Sequence, residues 1–208
     1  MKLETIIANK KTNESIYVSF PLTRRELREK LKKINVQIDN WYVRGVKVGN
    51  NDFGRAVINC TSIDSLNYLG YWMSQFTENE YYLFFEFLNA GMAWGQDVDD
   101  YINAAANIKN FYRIDNIKDY YSLGKWCLNE YVSRHKELSI EDLDTSHEAV
   151  ETLGMQYASD RLGKFFKGSF YGCLPSYELI YTDENDIPKD LLVSSLRIDT
   201  KDLGYLLL

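Results

Sequence analysis

The sequence predicts an α+β protein, and three observations support this fold class. The first sixty residues combine β-rich segments with one amphipathic helix. From residue 61 the apolar residues recur at helical spacing, and after residue 109 short aromatic segments alternate with helical ones. Of the 208 residues, 45% are apolar and 26% are charged, which is typical of a globular chain and argues against disorder.

The first sixty residues predict a small α+β region. The β-rich segments LETIIAN (3–9) and SIYVSFP (15–21) enclose the turn-like KKTNE, which indicates a hairpin. Thr23, with Glu26 three residues later, forms a capping box that begins the helix TRRELREKLKKI. A further strand, WYVRGVKV (41–48), ends at the turn-prone GNND.

The middle of the chain predicts three helices. Thr61 with Asp64 forms a second capping box, and Thr77 with Glu80 forms a third. The helix that Thr77 begins is apolar on almost every side, so we expect it to lie between other elements. The segment GQDVDDYINAAAN is the last of the three, and its aspartates suit the positive N-terminal end of a helix dipole.

The last hundred residues predict a mixture of strands and helices. NFYRI (110–114) is a short strand, and the clearest helix of the chain follows, with Gly124 on its apolar face. A glycine there indicates close packing against another backbone. A further helix is predicted near 149–166, and strands are predicted in SFYGCLP and YELIYT. The tail DLGYLLL is apolar and needs a docking site.

Composition excludes several classes of protein. No stretch approaches the 18 or so apolar residues of a membrane span, and the N-terminus lacks the pattern of a signal peptide. Cys60, Cys127 and Cys173 are odd in number and widely spaced. Such cysteines fit reduced, buried side chains in a cytoplasmic protein better than a disulfide framework.

Catalytic and metal-binding motifs are absent from the sequence. It contains no GxGxxG, GxxxxGK[ST], GxSxG, HExxH or CxxC pattern. A calcium loop beginning at Asp97 would need glycine and glutamate where Ile102 and Ile108 stand. We therefore predict no catalytic residue, metal or cofactor, and we predict that the protein is not an enzyme. A hydrolase remains an alternative, because its paired carboxylates are defined by separation in space.

Charge is distributed unevenly along the chain. Residues 1–60 carry 12 Lys/Arg and 6 Asp/Glu, whereas residues 61–208 carry 12 and 24. The basic helix could contact nucleic acid, or it could be a solvated amphipathic face. Its cations are Arg24, Arg25, Arg28, Lys30, Lys32 and Lys33.

The most unusual feature is a long stretch without positive charge. The 53 residues from 56 to 108 contain seven acids and no lysine or arginine, although solvated helices ordinarily mix both signs. A surface of one sign raises a potential that a basic cleft can feel at a distance. Such a surface could take the place of a phosphate backbone.

Three segments of the chain, in order, resemble the ArdA antirestriction family. They are FPLTRRELREKLKKINV, CTSIDSLNYLGYWMSQFTENEYYLFFEFLNAG and FYRIDNIKDYYSLGKWCLNEY. The family shares a helix entry of the form FPL…E…LK.I, then TSIDELN.L, and then an aromatic strand that leads into DLG..L. The segment 148–172 resembles the end of the family pattern more weakly.

This resemblance implies an elongated protein of three small domains. They would be an α+β domain at residues 1–60, a helical acidic domain at 61–108 and an α/β domain at 109–208. It also implies a homodimer that needs no cofactor. We expect the protein to be cytoplasmic and not to bind DNA directly. Its curved acidic surface would imitate bent B-form DNA and occupy the groove of type I restriction-modification enzymes, through their specificity and methylase subunits. Incoming mobile-element or phage DNA would thereby be protected.

The expected mimic surface consists of carboxylates from the middle and C-terminal parts of the chain. They are Glu78, Glu80, Glu86, Asp97, Asp99, Asp100, Asp115, Asp119, Glu141, Asp142, Asp144, Glu148 and Glu151. The chain departs from the family pattern in its modest net charge of −6 and in extra sequence around 134–148 and beyond 173. These departures leave inhibition of another DNA-targeting defence system as an alternative.

Overall fold

A computed structural model describes residues 2–36, 40–48, 51–52, 62–92 and 97–194. The mixed α+β class predicted from the sequence is confirmed. The strands are β1 (Leu3–Asn9), β2 (Ser15–Phe20), β3 (Trp41–Val48), β4 (Asn51–Asp52), β5 (Phe111–Asp115), β6 (Lys164–Phe166) and β7 (Ser169–Cys173). The α-helices are α1 (Arg24–Lys32), α2 (Ile63–Ser74), α3 (Glu78–Asn89), α4 (Val98–Ala106), α5 (Tyr120–Arg134) and α6 (His147–Asp160).

The described residues form two compact units. The first unit draws on Met1–Gln75, Gln96–Ile102 and Ile180–Leu208, and the second on Phe76–Gly95 and Asn103–Leu179. The predicted arrangement of three small domains is not confirmed. No helix in the described part of the chain is long and apolar enough to cross a membrane.

The first unit contains a four-stranded antiparallel sheet in the order β2-β1-β3-β4. The predicted hairpin of β1 and β2 is confirmed, and Leu3 pairs with Phe20 at its open end. Helix α2 approaches this hairpin closely, because a Cβ atom on Gly70 would lie 2.5 Å from the Cβ atom of Phe20. The sheet therefore has one face turned to a helical layer.

The predicted capping box at Thr23 is confirmed, whereas the one at Asp64 is wrong. The Thr23 hydroxyl accepts a bond from the Glu26 N–H. Helix α2 is instead capped by Ser62, and Thr61 lies outside the described residues. The buried Asp64 carboxylate accepts bonds from the N–H groups of Val193 at 2.5 Å and of Ser194 at 2.8 Å. A hydrogen bond from a residue 129 positions away in the sequence thus replaces the predicted bond within the helix cap.

The second unit contains a three-stranded antiparallel sheet in the order β5-β7-β6. Its core is a cluster of Ile117, Leu123, Ala158 and Phe170. Helices α5 and α6 pack backbone to backbone, as the position of Gly124 predicted. A Cβ atom on Gly124 would lie 1.8 Å from the Val150 carbonyl oxygen, and one on Gly154 would lie 1.9 Å from that of Tyr120.

Helix α3 is less enclosed than its sequence predicted. The capping box of Thr77 and Glu80 is confirmed, and the helix is followed by Gly91 at a positive φ of 69°. Phe84 and Phe87 are buried, but Tyr82 is 55% exposed. One side of this helix therefore reaches solvent, and the expectation that it lies between other elements is wrong on that side.

Two further predictions in the C-terminal half are corrected. The helix predicted near 149–166 ends at Asp160, because Leu162 adopts a positive φ of 50° and the chain then enters β6. The segment YELIYT is not a strand. Its Glu178 backbone pairs with the Asn107 side chain, through bonds of 2.9 Å and 2.7 Å, and not with a neighbouring strand. The predicted docking of the tail DLGYLLL lies outside the described residues.

Candidate functional site: the acidic surfaces

The strongest concentration of exposed acid in the second unit lies between residues 137 and 160. This segment, termed here the acidic run, contains seven acids and no lysine or arginine. It includes a 3-10 turn at Ile140–Asp142 and the whole of α6. Six of its acids have exposed side chains: Glu137, Glu141, Asp144, Glu148, Glu151 and Asp160.

Hydrogen bonds and the helix dipole at the beginning of α6 stabilise the ionised form of some of these carboxylates. Ser146 caps the helix and accepts a bond from the Ala149 N–H, and Asp144 accepts one from the Ser146 N–H at 2.9 Å. The backbone and side-chain bonds from Ser146 hold the pKa of Asp144 below its ordinary value. Glu148 lies in the first turn, where the helix dipole favours negative charge.

Two histidine rings contact carboxylates of the acidic run. The nearest N–O distances are 3.2 Å between His135 and Glu137 and 4.0 Å between His147 and Glu151. Within the described ranges, no lysine or arginine lies within 4.0 Å of these carboxylates. The run therefore presents carboxylates to solvent with little internal neutralisation.

Glu86 and Asp115, by contrast, share an internal arginine. The Arg113 guanidinium lies 2.6 Å from Glu86 and 2.8 Å from Asp115, and Ser169 donates to Asp115 at 3.0 Å. Arg113 and then Ser169 lower the pKa of Asp115. These groups line an open polar cleft of about 440 Å³ that also includes Lys167. Two predicted mimic residues thus already have a cationic partner.

Three other predicted residues of the second unit lie at helix beginnings. Glu78 is exposed at the start of α3, and Glu80 accepts the Thr77 N–H at 2.8 Å. Asp119 caps α5 by accepting the Ser122 N–H at 2.7 Å. The backbone bond from Thr77 is the main cause of the lowered pKa of Glu80, and bonds from Ser122 lower that of Asp119. Glu80 and Asp119 therefore stabilise the helix beginnings, independently of any partner.

The first unit holds the remaining predicted group, which is Asp97, Asp99 and Asp100. Burial raises the pKa of Asp99 above its ordinary value, and the negative charges of Asp97, Asp100 and Asp183 raise it further. Asp183 comes from a distant part of the sequence, and no sequence signal predicted that it joins this group. The first unit therefore also concentrates negative charge.

The structure thus distributes the thirteen predicted carboxylates over both units. Three belong to the first unit, and the other ten, including Asp142, belong to the second. Their role in binding a partner stays a prediction. No sequence pattern predicted one kind of polar residue, namely buried side chains that hydrogen-bond to backbone groups distant in the sequence. Besides Asp64 and Asn107, Asn67 accepts the Leu22 N–H and donates to the Leu191 carbonyl, both at 2.8 Å.

The basic helix α1 is partly satisfied within its own unit. Arg25 pairs with Glu29 at 3.1 Å, and the Lys30 ammonium donates to the Tyr17 carbonyl at 3.3 Å. Arg24 donates to the Leu192 carbonyl at 3.4 Å. These contacts are those of an amphipathic surface helix. In the described part of the unit they leave Arg28 and Lys32, with Lys33 at its C-cap, as exposed cations without such bonds.

The described residues contain no group of three or more His, Cys, Asp or Glu side chains placed to hold a metal ion. Cys127 and Cys173 are free, and burial raises the pKa of each thiol to about 11. Both are therefore poor nucleophiles at neutral pH. Cys60 lies outside the described residues.

Comparison with known proteins gives no assignment. No family model matches the chain, and no curated protein sequence matches it.

Proposed function

We propose that this protein is an antirestriction protein that imitates B-form DNA and occupies the DNA-binding groove of a type I restriction-modification enzyme. The observation that carries this proposal is the acidic run, where six exposed carboxylates lie in a segment without lysine or arginine. The resemblance of three segments to the ArdA family supplies the class of target. Its partners would be the specificity and methylase subunits, and the protein would act as a cytoplasmic homodimer.

The physical basis is charge complementarity. A groove that grips duplex DNA presents lysine and arginine side chains to phosphate oxygens. Exposed carboxylates accept the same charge-assisted hydrogen bonds, and arginine binds a carboxylate as readily as it binds a phosphate. Carboxylates paired with histidine or with solvent are available for such bonds, whereas Glu86 and Asp115 would first have to leave Arg113.

A restriction-protection assay tests the proposal. Unmodified phage is plated on a host that carries a type I restriction system, with and without this protein. We expect the protein to raise the plating efficiency, because it would occupy the groove that phage DNA needs. Equal plating efficiency with and without a well-expressed protein would contradict the proposal.

A matched pair of variants assigns the effect to the acidic run. Glu141, Glu148 and Glu151 are replaced together by glutamine, and the control replaces Glu14, Glu29 and Glu178, which are exposed acids outside the run. Both variants lose three negative charges. Protection should fall for the first variant and persist for the second. Equal loss in both would mean that only net charge matters.

A gel-shift assay separates this proposal from the nucleic-acid-binding alternative through α1. Retardation of duplex DNA that is abolished by replacing Arg28 and Lys32 with glutamine would favour the alternative. Protection from restriction without a duplex shift favours mimicry.

A further inference from the structure

The sheet of the first unit has one face that the described residues leave open. Along β1 the side chains of Leu3, Thr5 and Ile7 are buried, whereas Glu4 and Ile6 are partly exposed. This alternation places Glu4 and Ile6 on the opposite face, together with Ala8, which is buried. Among the described residues, a Cβ atom on Gly45, which pairs with Ile6, would meet the Ile6 side chain alone, at 3.9 Å. The described residues therefore leave room for a ligand at the centre of this face.

Two tyrosine rings lie on the open face. Tyr17 of β2 is directly opposite Ile6, and its side chain is 64% exposed. Tyr42 of β3 is opposite Ala8, two residues further along β1, and its hydroxyl bonds to Asn13 at 2.8 Å. From the spacing of strands and residues in a sheet, the two tyrosine Cα atoms are separated by about 12 Å. One short extended ligand can therefore reach both rings.

Cations accompany these rings. Lys47 pairs with Glu4 across the same face at 3.7 Å, and its side chain is 50% exposed. Arg44 is the extra residue of a bulge in β3, because Ile6 pairs with Gly45 and Ile7 pairs with Val43. It is exposed, and no ion pair joins it to any described residue. The face belongs to the part of the chain with a net charge of +6.

We infer that this face binds single-stranded nucleic acid. Bases would stack on Tyr17 and Tyr42, and phosphates would contact Arg44 and Lys47. Open four-stranded sheets with exposed aromatic rings bind single strands in this way, because unpaired bases offer their flat faces. A duplex hides those faces, so this inference is compatible with a protein that does not bind duplex DNA.

Charge favours this ligand over a second copy of the chain. Two copies meeting through this face would bring together two regions that each carry a net charge of +6. An acidic protein could form ion pairs with the cations, but its carboxylates would not stack on the two tyrosine rings as bases do. Glu4 weakens the attraction for phosphate, because its ion pair with Lys47 neutralises part of that cation. Arg44, which has no ion pair with a described residue, is therefore the main phosphate contact.

The test is the fluorescence anisotropy of a labelled single-stranded oligonucleotide of about 12 nucleotides, within the site sizes of small single-strand-binding modules. We expect binding at low salt that weakens as salt rises, and no comparable binding of the same sequence as a duplex. Tyr17→Ala should weaken binding about tenfold through the loss of one stacked base. Tyr17→Phe, which keeps the ring, should bind like the parent protein.

Tyr82→Ala is the matched control, because Tyr82 is 55% exposed and belongs to the second unit. It should leave binding unchanged. The inference is overturned if the oligonucleotide does not bind, or if Tyr17→Ala and Tyr82→Ala behave alike. It is also overturned if binding is lost only on replacing Arg28 and Lys32 of α1, or if Tyr17→Ala acts by dissociating a dimer in sedimentation.

Discussion

At the scale of single residues, the clearest electrostatic conflict is at Asp99. Its carboxylate is partly buried and faces the negative charges of Asp97, Asp100 and Asp183, and its pKa is raised. A carboxyl group with a raised pKa in the folded state is more stable there when it is protonated. Its ionised form therefore opposes folding as pH rises through that raised pKa.

We predict that Asp99→Asn raises the melting temperature at neutral pH, because it removes a repelled charge. The difference from the parent protein should disappear below about pH 3.9, the ordinary pKa of aspartate, where the carboxyl is protonated in both states. Thermal melts over this pH range measure the effect, with Glu14→Gln as the control. A lower melting temperature for Asp99→Asn at neutral pH would show that a favourable contact of Asp99 outweighs the repulsion.

At the scale of elements, the helix beginnings are set by local hydrogen bonds. In α3 the Thr77 hydroxyl accepts the Glu80 N–H while the Glu80 carboxylate accepts the Thr77 N–H. The latter bond is the main cause of the lowered pKa of Glu80. The stability it contributes is present above the ordinary glutamate pKa and is lost as pH falls through the lowered one.

Thr77→Ala should therefore cost about 1 kcal/mol in the free energy of unfolding at neutral pH. The cost should shrink in acid, because the bond that the Thr77 hydroxyl donates to the ionised Glu80 at 2.8 Å, which the substitution removes, is then lost in the parent protein too. Urea unfolding at several pH values measures both effects. Thr152→Ala is the control, because Thr152 is an exposed threonine inside α6 and caps nothing. Equal costs for the two variants would contradict the capping role.

The packing of α5 against α6 is the second property that belongs to this scale. The two helices meet at Gly124 and Gly154, where any Cβ atom would collide with a carbonyl oxygen of the other helix. Because the obstacle is backbone and not a flexible side chain, the helices themselves would have to separate. Their contact supports the core cluster that contains Leu123 and Ala158.

Gly154→Ala should destabilise the protein by at least about 1–3 kcal/mol, the usual cost of overpacking. Gly45→Ala is the matched control, since its Cβ atom would meet Ile6 at an ordinary distance of 3.9 Å. Chemical denaturation of both variants measures the difference. A Gly154→Ala variant as stable as the parent would mean that the helices can move apart at little cost.

At the scale of the whole molecule, the proposed mimicry depends on many weak contacts. Each exposed ion pair contributes about 0–1 kcal/mol, so Glu148→Gln alone should change target affinity only slightly. Affinity for a type I methyltransferase should fall about tenfold or more between roughly 50 and 200 mM salt, because both surfaces are charged. Titration calorimetry at several salt concentrations measures this. Affinity independent of salt, or complete loss on one substitution, would contradict mimicry.

Local features were predictable from the sequence because their causes lie within a few residues. The capping boxes of Thr23 and Thr77 and the hairpin of β1 and β2 are of this kind. The capping box predicted for Thr61 and Asp64 was wrong, because the Asp64 carboxylate accepts hydrogen bonds from the N–H groups of Val193 and Ser194. The strand predicted in YELIYT was wrong, because the backbone N–H and carbonyl of Glu178 form hydrogen bonds with the Asn107 side chain.

The sequence by itself determined where most helices and strands begin, that the chain is α+β, and that acid is concentrated after residue 60. Tertiary structure alone decided which carboxylates stay available to bind a partner. It paired Glu86 and Asp115 with Arg113, brought Asp183 close to Asp99, and left one face of the first sheet uncovered by the described residues. The physical reason is range: helix caps and turns are satisfied by neighbours in the chain, whereas charge pairing and exposure depend on residues that folding brings together.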